Sequence, residues 1–336
     1  MKQNLQILLV SVFLGCFIKA SGQDINFTQY ELVPVFVNPA NTGGFPGTFR
    51  IGGIYRDRAP SFPGAYKSLF LAMEMNFGFA FRKKDWTSLA ITFIQDRSGE
   101  ISLGKGGFIA AGAYHLAFGK GNLAIGVQFG GMSQNVKNQE KGSDLHTISG
   151  GTGPSQDLMS LQTGKADFQD ISGGLAYTAP ISTKKHILKL GIAANHITQP
   201  SVSINGSANK IDMLLTGSAS LQYHLNEKTD LVPMIWFRNL GDASETVPQC
   251  MVSYLFNVEK KVRLNAGLGY RLTGDLQIMA GMDYGNLKAQ VGYDLSTNSV
   301  LSDALSGTGA IEFAVNYIGA ITKKPNPKPK VFCPRF

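Results

Sequence analysis

The chain has 336 residues, a formal net charge of +8, 43% hydrophobic residues and 39 glycines. Only 16% of its residues are charged, well below the roughly 25% that is typical of soluble globular domains. The positive charge does not indicate a nucleic-acid partner, because the basic residues fall in small groups at predicted chain reversals, such as residues 82–84 and 260–261. We therefore expect no nucleic-acid partner and no ordinary soluble domain.

Residues 1–22 predict a secretory signal peptide. Lys2 precedes an apolar run over residues 5–18, and small residues follow, which predicts cleavage near residue 23 or 24. A lipoprotein signal with Cys16 as the acceptor is the alternative. The apolar run is short for a membrane-spanning helix, and no other stretch approaches the roughly 18 apolar residues that such a helix requires.

Residues 23–46 have neither strand nor helix periodicity. Pro34 and Pro39 exclude this segment from a central strand, because proline fixes φ and lacks the backbone donor. Residues 41–44 predict the turn that leads the chain into the first strand. We expect a periplasmic segment that packs under or inside the following domain, and a plain linker is the alternative.

From residue 47 onward the main signal is an alternation of apolar and polar residues, as in residues 123–129 and 276–284. A period of two with a polar opposite face predicts half-exposed β-strands. The length of many segments suits a tilted strand that crosses a membrane. Fourteen strands are predicted, at 47–57, 67–78, 87–96, 107–117, 122–133, 168–179, 186–196, 211–224, 229–240, 249–258, 261–271, 275–284, 287–296 and 309–320.

The predicted connections after even-numbered strands are short, whereas those after odd-numbered strands are mostly long; the connection at 272–274 is an exception. Tight periplasmic turns that alternate with longer external loops are typical of outer-membrane barrels. Backbone polar groups in lipid need internal partners, so the sheet is expected to close. The predicted fold is an all-β transmembrane antiparallel outer-membrane β-barrel over residues 47–320, and a soluble, secreted all-β repeat or β-sandwich protein is the alternative.

The two faces of the predicted strands differ in chemistry, and the apolar row is expected to meet lipid. The polar row, which is expected to face the lumen, comprises Lys189, Asn195, Gln222, His224, Arg263, Gln277, Asp283, Lys288 and Asp294. Tyrosines near the strand ends, where aromatic girdles occur, are Tyr114, Tyr177, Tyr223, Tyr254, Tyr270, Tyr284, Tyr293 and Tyr317.

Two further stretches suggest surfaces for partners. Residues 134–167 are rich in glycine and long for a connection, which predicts either a mobile surface loop or an external docking surface. The tail, residues 321–336, alternates proline with lysine and predicts an extended, polyproline-like periplasmic segment. Its apolar tip, residues 331–336, predicts a docking peptide.

The sequence contains no motif of a hydrolase nucleophile elbow, a zinc protease or a phosphate-binding loop. Asn195-His196 suggests a hydrolase relay, but adjacent residues of a strand point to opposite faces. The histidines, which lack the spacing of metal ligands, are His115, His146, His186, His196 and His224. We therefore expect a protein that is not an enzyme, with no catalytic, cofactor or metal site.

The stretch QDINFTQYELVPVFVNPANTG, followed by FRIGGIYRDR, resembles the start of the type IX secretion system membrane proteins of the PorP/SprF family. NHITQPS and FCPRF resemble the mid-chain and C-terminal segments of that family. The family continues after the Tyr55-Arg56 pair with Gln and Trp, whereas Asp57, Arg58 and Ala59 follow here. The matching positions are Gln29, Tyr30, Asn38, Pro39, Ala40, Thr42, Gly43, Tyr55, Arg56, Gln199, Pro200, Cys333, Pro334, Arg335 and Phe336.

This resemblance implies an outer-membrane barrel of the type IX machinery of Bacteroidota. Proteins of the family support the export or surface retention of cargo proteins, such as adhesins with a C-terminal sorting domain, and associate with periplasmic components. We expect cargo at the external loops, chiefly 134–167 and 197–210, periplasmic partners at residues 23–46 and at the tail, and outer-membrane lipid around the barrel. The matching positions, except Ala40, are the candidate partner-binding residues. A passive channel or small-molecule transporter is the alternative.

Overall fold

The computed structural model describes residues 24–58, 66–78, 80–98, 103–136, 165–181, 186–202, 209–297 and 309–321. The predicted signal peptide and nearly all of the predicted tail, including Cys333, Pro334, Arg335 and Phe336, lie outside the described residues. Among the described residues, no helix is long and apolar enough to span a membrane. The helical turns that are present are short: one α-helix, α1 (Pro34–Val37), lies between two 3-10 turns at Tyr30–Leu32 and Pro39–Asn41.

The described part of the chain contains sixteen strands. Their bounds are β1 Phe49–Arg58, β2 Tyr66–Phe77, β3 Trp86–Ser98, β4 Leu103–Phe118, β5 Gly121–Val136, β6 Lys165–Ile181, β7 His186–Asn195, β8 Ser201–Val202, β9 Asn209–Lys210, β10 Leu214–His224, β11 Thr229–Leu240, β12 Ala243–Asn257, β13 Val262–Arg271, β14 Asp275–Tyr284, β15 Leu287–Ser296 and β16 Ala310–Gly319.

Fourteen of these strands form one closed antiparallel barrel in chain order, with β7 followed directly by β10 and with β16 paired to β1. β8 and β9 form a separate two-stranded sheet. The predicted number of barrel strands and the predicted closure are confirmed. The β-sandwich alternative is wrong, because a single sheet closes on itself.

The largest error in the predicted strands concerns the tenth barrel strand, which begins at Ala243 and not near residue 249. Pro248 lies inside β12 opposite Ile235. A proline in the sequence normally indicates that a position is not inside a strand, because proline has no backbone donor. The predicted start of this strand was therefore placed after Pro248, which was wrong. The connection to β11 is consequently a tight turn at Gly241 and Asp242, and Gly241 adopts the left-handed φ of +56° that such turns require.

The outer face of the barrel is apolar. Ile91, Phe108, Ile192 and Leu268 expose between 59% and 66% of their surface, as expected for side chains that lie in hydrocarbon. Six of the predicted girdle tyrosines are half exposed on this face: Tyr223, Tyr254, Tyr270, Tyr284, Tyr293 and Tyr317.

The opposite row faces the lumen and carries buried polar side chains such as Glu74, Gln277 and Glu312. The strands thus have the apolar-out, polar-in alternation of a membrane barrel. The two ends of the barrel are also distinct. We call the end with the short connections β2–β3, β4–β5, β10–β11, β12–β13 and β14–β15 the turn end, and the opposite end the loop end.

Candidate functional site

The lumen contains the N-terminal segment of the chain. Residues 24–47, called here the plug segment, run from the loop end to the turn end and then enter β1. At the loop end Asp24 lies beside Lys105 of β4 and Arg238 of β11. At the turn end the Gly43 amide donates to Glu74 of β2. The segment is therefore packed inside the barrel over its full height.

Asp24 holds the first described residue of the segment in a cluster of cations. Its carboxylate lies 3.1 Å from Lys105, 3.4 Å from Arg238 and 3.8 Å from His196. Burial on its own would raise the pKa of Asp24, but these cations hold the pKa well below its ordinary value. Asp24 is therefore ionised at neutral pH and fixes the plug segment electrostatically.

His196 links this cluster to β6. Its Nδ1 lies 2.8 Å from Asp170. Burial on its own would lower the pKa of His196, and the carboxylates of Asp170 and Asp24 more than reverse this, raising the pKa to about 9. His196 is therefore cationic at neutral pH, consistent with its place between two carboxylates.

A second anchor surrounds Thr28, which is fully buried. Arg56 of β1 donates to the Thr28 hydroxyl and pairs with Glu312 and Asp294 (the Asp294 pair at 2.8 Å). The Thr28 amide donates to Glu312 at 2.7 Å, and its hydroxyl lies 2.7 Å from Asp294. One guanidinium and two carboxylates thus enclose one residue of the plug segment.

Two glutamines on nearby strands complete this anchor. Gln249 of β12 donates to the Thr28 carbonyl at 2.8 Å and to the Gln277 side chain at 2.7 Å. Gln277 in turn donates to the Thr28 hydroxyl at 3.1 Å. Side chains of β1, β12, β14, β15 and β16 therefore meet at Thr28, which ties this arc of the wall to the segment.

The middle of the plug segment packs through aromatic and aliphatic side chains. Phe27 and Phe36 make an edge-to-face contact at 5.1 Å, and Phe36 contacts Phe70 of β2 in the same way at 5.5 Å. Tyr30 packs on Trp236 of β11 with ring centroids 5.0 Å apart. Arrangements of this kind stabilise a core beyond the area that they bury.

From the middle of the barrel toward the turn end, the segment is held by the Asn38 side chain and by the close approach of its backbone to the wall. Asn38 donates to the carbonyls of Leu175 and Ile192 at 2.9 and 3.1 Å. A Cβ at Gly174 would lie 2.1 Å from Asn38 Oδ1, and one at Gly126 would lie 2.3 Å from the Ala40 nitrogen. Glycine is thus needed at both wall positions.

The last contacts before β1 involve His115 and Glu74. His115 Nε2 lies 2.7 Å from the Thr42 carbonyl, which makes this nitrogen the donor. Glu74 accepts from the Gly43 amide at 3.0 Å and from Arg50 at 2.6 Å. Gly43 has a left-handed φ of +75°, so the turn into the first strand depends on a residue without a side chain.

A cavity of about 50 Å³ remains beside the segment below the loop end. Its walls are mainly apolar, including Phe36, Phe70 and Leu214, and Trp236 and Arg238 border it. A space of this size has room for about one or two waters and not for a larger ligand. The described residues contain no group of three His, Cys, Asp or Glu side chains placed to hold a metal ion.

The structure brings together most of the candidate positions that it describes. Those that lie in the lumen are Gln29, Tyr30, Asn38, Pro39, Thr42, Gly43 and Arg56. Tyr55 is on the outer face, 36% exposed. Gln199 and Pro200 lie at the loop end, after β7. A role of these residues in partner binding stays a prediction, and the lumenal ones are occupied here by contacts with the barrel.

Sequence reasoning missed several residues of the site. Glu74 and Glu312 were not singled out, although they bind the segment from β2 and β16. Both are acidic residues flanked by apolar neighbours in predicted strands. That pattern could have identified them as lumenal side chains. Their partners lie 31 and 284 positions away in sequence, so no local pattern identifies the pairing.

A closed antiparallel barrel with an apolar outer face and a polar lumen defines a membrane β-barrel protein. The chain is similar to a TodX deltaS2S3 mutant monoaromatic hydrocarbon channel, with 13% identity and a TM-score of 0.52, covering 84% of this chain and 93% of that one. It is also similar to the CymD monoaromatic hydrocarbon channel, with 10% identity and a TM-score of 0.50, covering 90% and 95%. At these identities the likeness concerns the fold.

The sequence profile of the family described as type IX secretion system membrane protein PorP/SprF matches residues 19–317. The chain belongs to this family. The resemblance seen at the N-terminal motif is therefore confirmed over most of the chain. No curated protein sequence matches it.

Proposed function

We propose that the protein is a non-enzymatic outer-membrane barrel of the type IX secretion system that supports the export and cell-surface anchoring of cargo proteins. In this proposal the loop end faces outward and holds the cargo. The turn end faces the periplasm and contacts secretion components. The observation that carries the proposal is the plug segment, because it fills the lumen through which a passive pore would conduct.

The burial of the plug segment supports a scaffold. Phe27, Gln29, Asn38 and Thr42 are each at most 1% exposed, so little solvent reaches the centre of the barrel. The charged anchor at Thr28 and the glycine contacts at the turn end fix the segment at both ends. A barrel closed in this way offers its two rims, and not its lumen, to other molecules.

The proposal divides the partners between the rims. The connection between β5 and β6 and the one between β7 and β10, which includes β8 and β9, leave the loop end, where cargo would bind. On the other side, the segment emerges at exposed Gly44 before β1, and the chain leaves β16 at Gly319 beside Phe49. Periplasmic partners would therefore meet residues 44–47 and the tail, because residues 27–43 are mostly occupied inside the barrel.

Crosslinking in native cells tests this proposal. A tag is placed in the 134–167 connection, and the proteins that co-purify after crosslinking are identified by mass spectrometry. We expect a large exported protein together with periplasmic secretion components. Recovery of the barrel and lipid alone would contradict the proposal.

A passive channel or small-molecule transporter is the second candidate. The observation that favours it is the fold, because the two similar structures described above are named as monoaromatic hydrocarbon channels. Ion conductance in planar bilayers separates the two functions. The scaffold predicts a closed barrel, whereas steady conductance through the unmodified protein would favour the channel.

A further inference from the structure

Strand β6 has a stretch with no neighbour on one side. β6 spans Lys165–Ile181 and pairs with β5 from Lys165 to Thr178. Its pairing with β7 begins only at Gly173. In the part of the chain that the structure describes, β8 lies near β6, but no strand pairs with the β7 side of residues 165–170, so this stretch is an unpaired edge among the described residues.

The edge is free because the chain turns away after β7. The Ile197 amide donates to the Ile171 carbonyl at 3.0 Å, which is the last bond between the two elements. His196 and Gln199 both have left-handed backbone angles, with φ of 55° and 43°. These values are uncommon for residues other than glycine. The ion pair of His196 with Asp170 draws the turn toward the lumen.

The geometry of an antiparallel strand identifies the unpaired groups. Backbone groups of alternate residues point to opposite neighbours. Since the Ile171 carbonyl points toward β7, the amides and carbonyls of Gln169 and Asp167 point the same way. Both residues are exposed, whereas Phe168 and Asp170 are buried on the lumenal face.

An open groove lies along this edge. It has a volume of about 760 Å³ and is bordered by Asp167 and Gln169 of β6, by Pro200 and by Ser201 of β8. Glycines of the neighbouring strands β4 and β5, such as Gly131, also line it. A Cβ at Gly131 would meet no atom within 4 Å, so the surface of β5 at this end of the groove is uncrowded.

The edge lies outside the hydrocarbon. Unpaired backbone groups are not tolerated in lipid, and β4, β5 and β6 have 16, 16 and 17 residues, compared with 10 in β1 and β7. These three strands therefore extend beyond the membrane into water. In water, a free edge is a template for pairing with another chain.

We infer that the β6 edge at Asp167 and Gln169 binds an extended polypeptide segment, which adds one antiparallel strand in the place that β7 leaves vacant. The inference rests on the proposed function, in which the occupant is a strand of the exported cargo. Lys165 and Asp167 pair with each other at 3.0 Å, so the edge carries little net charge. Backbone bonding would provide the affinity and the groove would accept the side chains.

Proline at position 169 tests the edge. Gln169→Pro removes one amide that points toward the groove and leaves the bonds to β5 in place, because proline is tolerated where its missing donor would face away from the sheet. Gln169→Ala, the matched control, keeps the amide. The probe is the purified C-terminal sorting domain of an exported adhesin from the same bacterium. We expect affinity to fall by at least about tenfold in Gln169→Pro and to stay unchanged in Gln169→Ala.

Amide hydrogen exchange provides a second measurement that needs no substitution. Binding of the sorting domain is expected to slow exchange at Asp167 and Gln169, while Ala166 and Phe168, already bonded to β5, change little. Binding to both variants with equal affinity, or unchanged exchange at Asp167 and Gln169, would overturn the inference that the β6 edge binds a strand, and would leave the proposed function intact. Failure of the unmodified protein to bind any sorting domain would overturn both.

Discussion

The two ends of the plug segment are held by different physical means. At the loop end, buried charges hold it: Asp24 lies among cations, and Arg56 joins Thr28 to two carboxylates. At the turn end, Asn38 and the segment's backbone fit against glycines of the wall. The first end depends on complementary charge and the second on shape.

This difference has a consequence for how each end can be disrupted. Removal of one member of a buried ion pair leaves an uncompensated charge, which costs more than the pair itself contributes. A close steric contact is instead sensitive to added volume. The loop end is therefore vulnerable to loss of atoms, whereas the turn end is vulnerable to gain of atoms.

The largest effect is expected from Arg56→Met. The substitution leaves Glu312 and Asp294 buried beside Thr28 without their cation, and we expect a loss of about 3–5 kcal/mol in the free energy of unfolding. Urea titration, followed by the heat-modifiable migration of the folded barrel on gels, measures it. Lys67→Met is the control, because the Lys67 side chain is half exposed and its pair with Asp57 is long, at 3.6 Å, so its removal should matter little. Equal midpoints for the two variants would contradict the charged anchor.

A smaller effect is expected from Gly126→Val at the turn end. The new side chain would overlap the Ala40 backbone, and overpacking of this kind costs about 1–3 kcal/mol. Gly131→Val lies on the same strand but meets open space, so it should leave stability unchanged. The same titration applies to both variants. If they behave alike, the close approach of the segment to β5 is refuted.

The smallest effect is expected from pH at the loop end. Because the pKa of His196 is raised to about 9, its stabilising contribution is complete below its ordinary value of about 6.5 and is lost as pH rises through 9. Lys105 remains beside Asp24, so only part of the anchor weakens. The midpoint of thermal unfolding should fall between pH 6 and 9.5 in the unmodified protein. In His196→Gln this pH dependence should be absent. An identical pH profile in the variant would contradict the role of His196.

The barrel was predictable because its signals are local. Alternation along each strand and the lengths of the connections follow from residues next to one another, as in β14 and β15. The failures have local causes too. Pro248 made the first residues of β12 resemble a loop. The glycine-rich end of β4 and the polar end of β5 also resembled a loop, although they pair with each other at the loop end of the barrel.

For the plug segment, the sequence predicted that it packs under or inside the barrel but not which residues it contacts. Prolines and the asparagine-rich turn indicated a fixed segment under or inside the barrel, but its position along the lumen depends on pairs far apart in sequence. Arg56 meets Glu312, 256 positions away, and both contact Thr28. Such pairs are set by the closure of the barrel between β1 and β16, which no stretch of the chain encodes on its own.

Thiol labelling tests most directly whether the segment fills the lumen. In a protein with Cys250→Ser and Cys333→Ser, a single cysteine is introduced as Ala40→Cys or Gly44→Cys. Ala40 is 1% exposed and packs against Ala124 and Ala176, whereas Gly44 is exposed. The account predicts that a maleimide reagent labels position 44 in the folded protein and position 40 only after unfolding. Equal labelling rates at both positions in the folded barrel would contradict it.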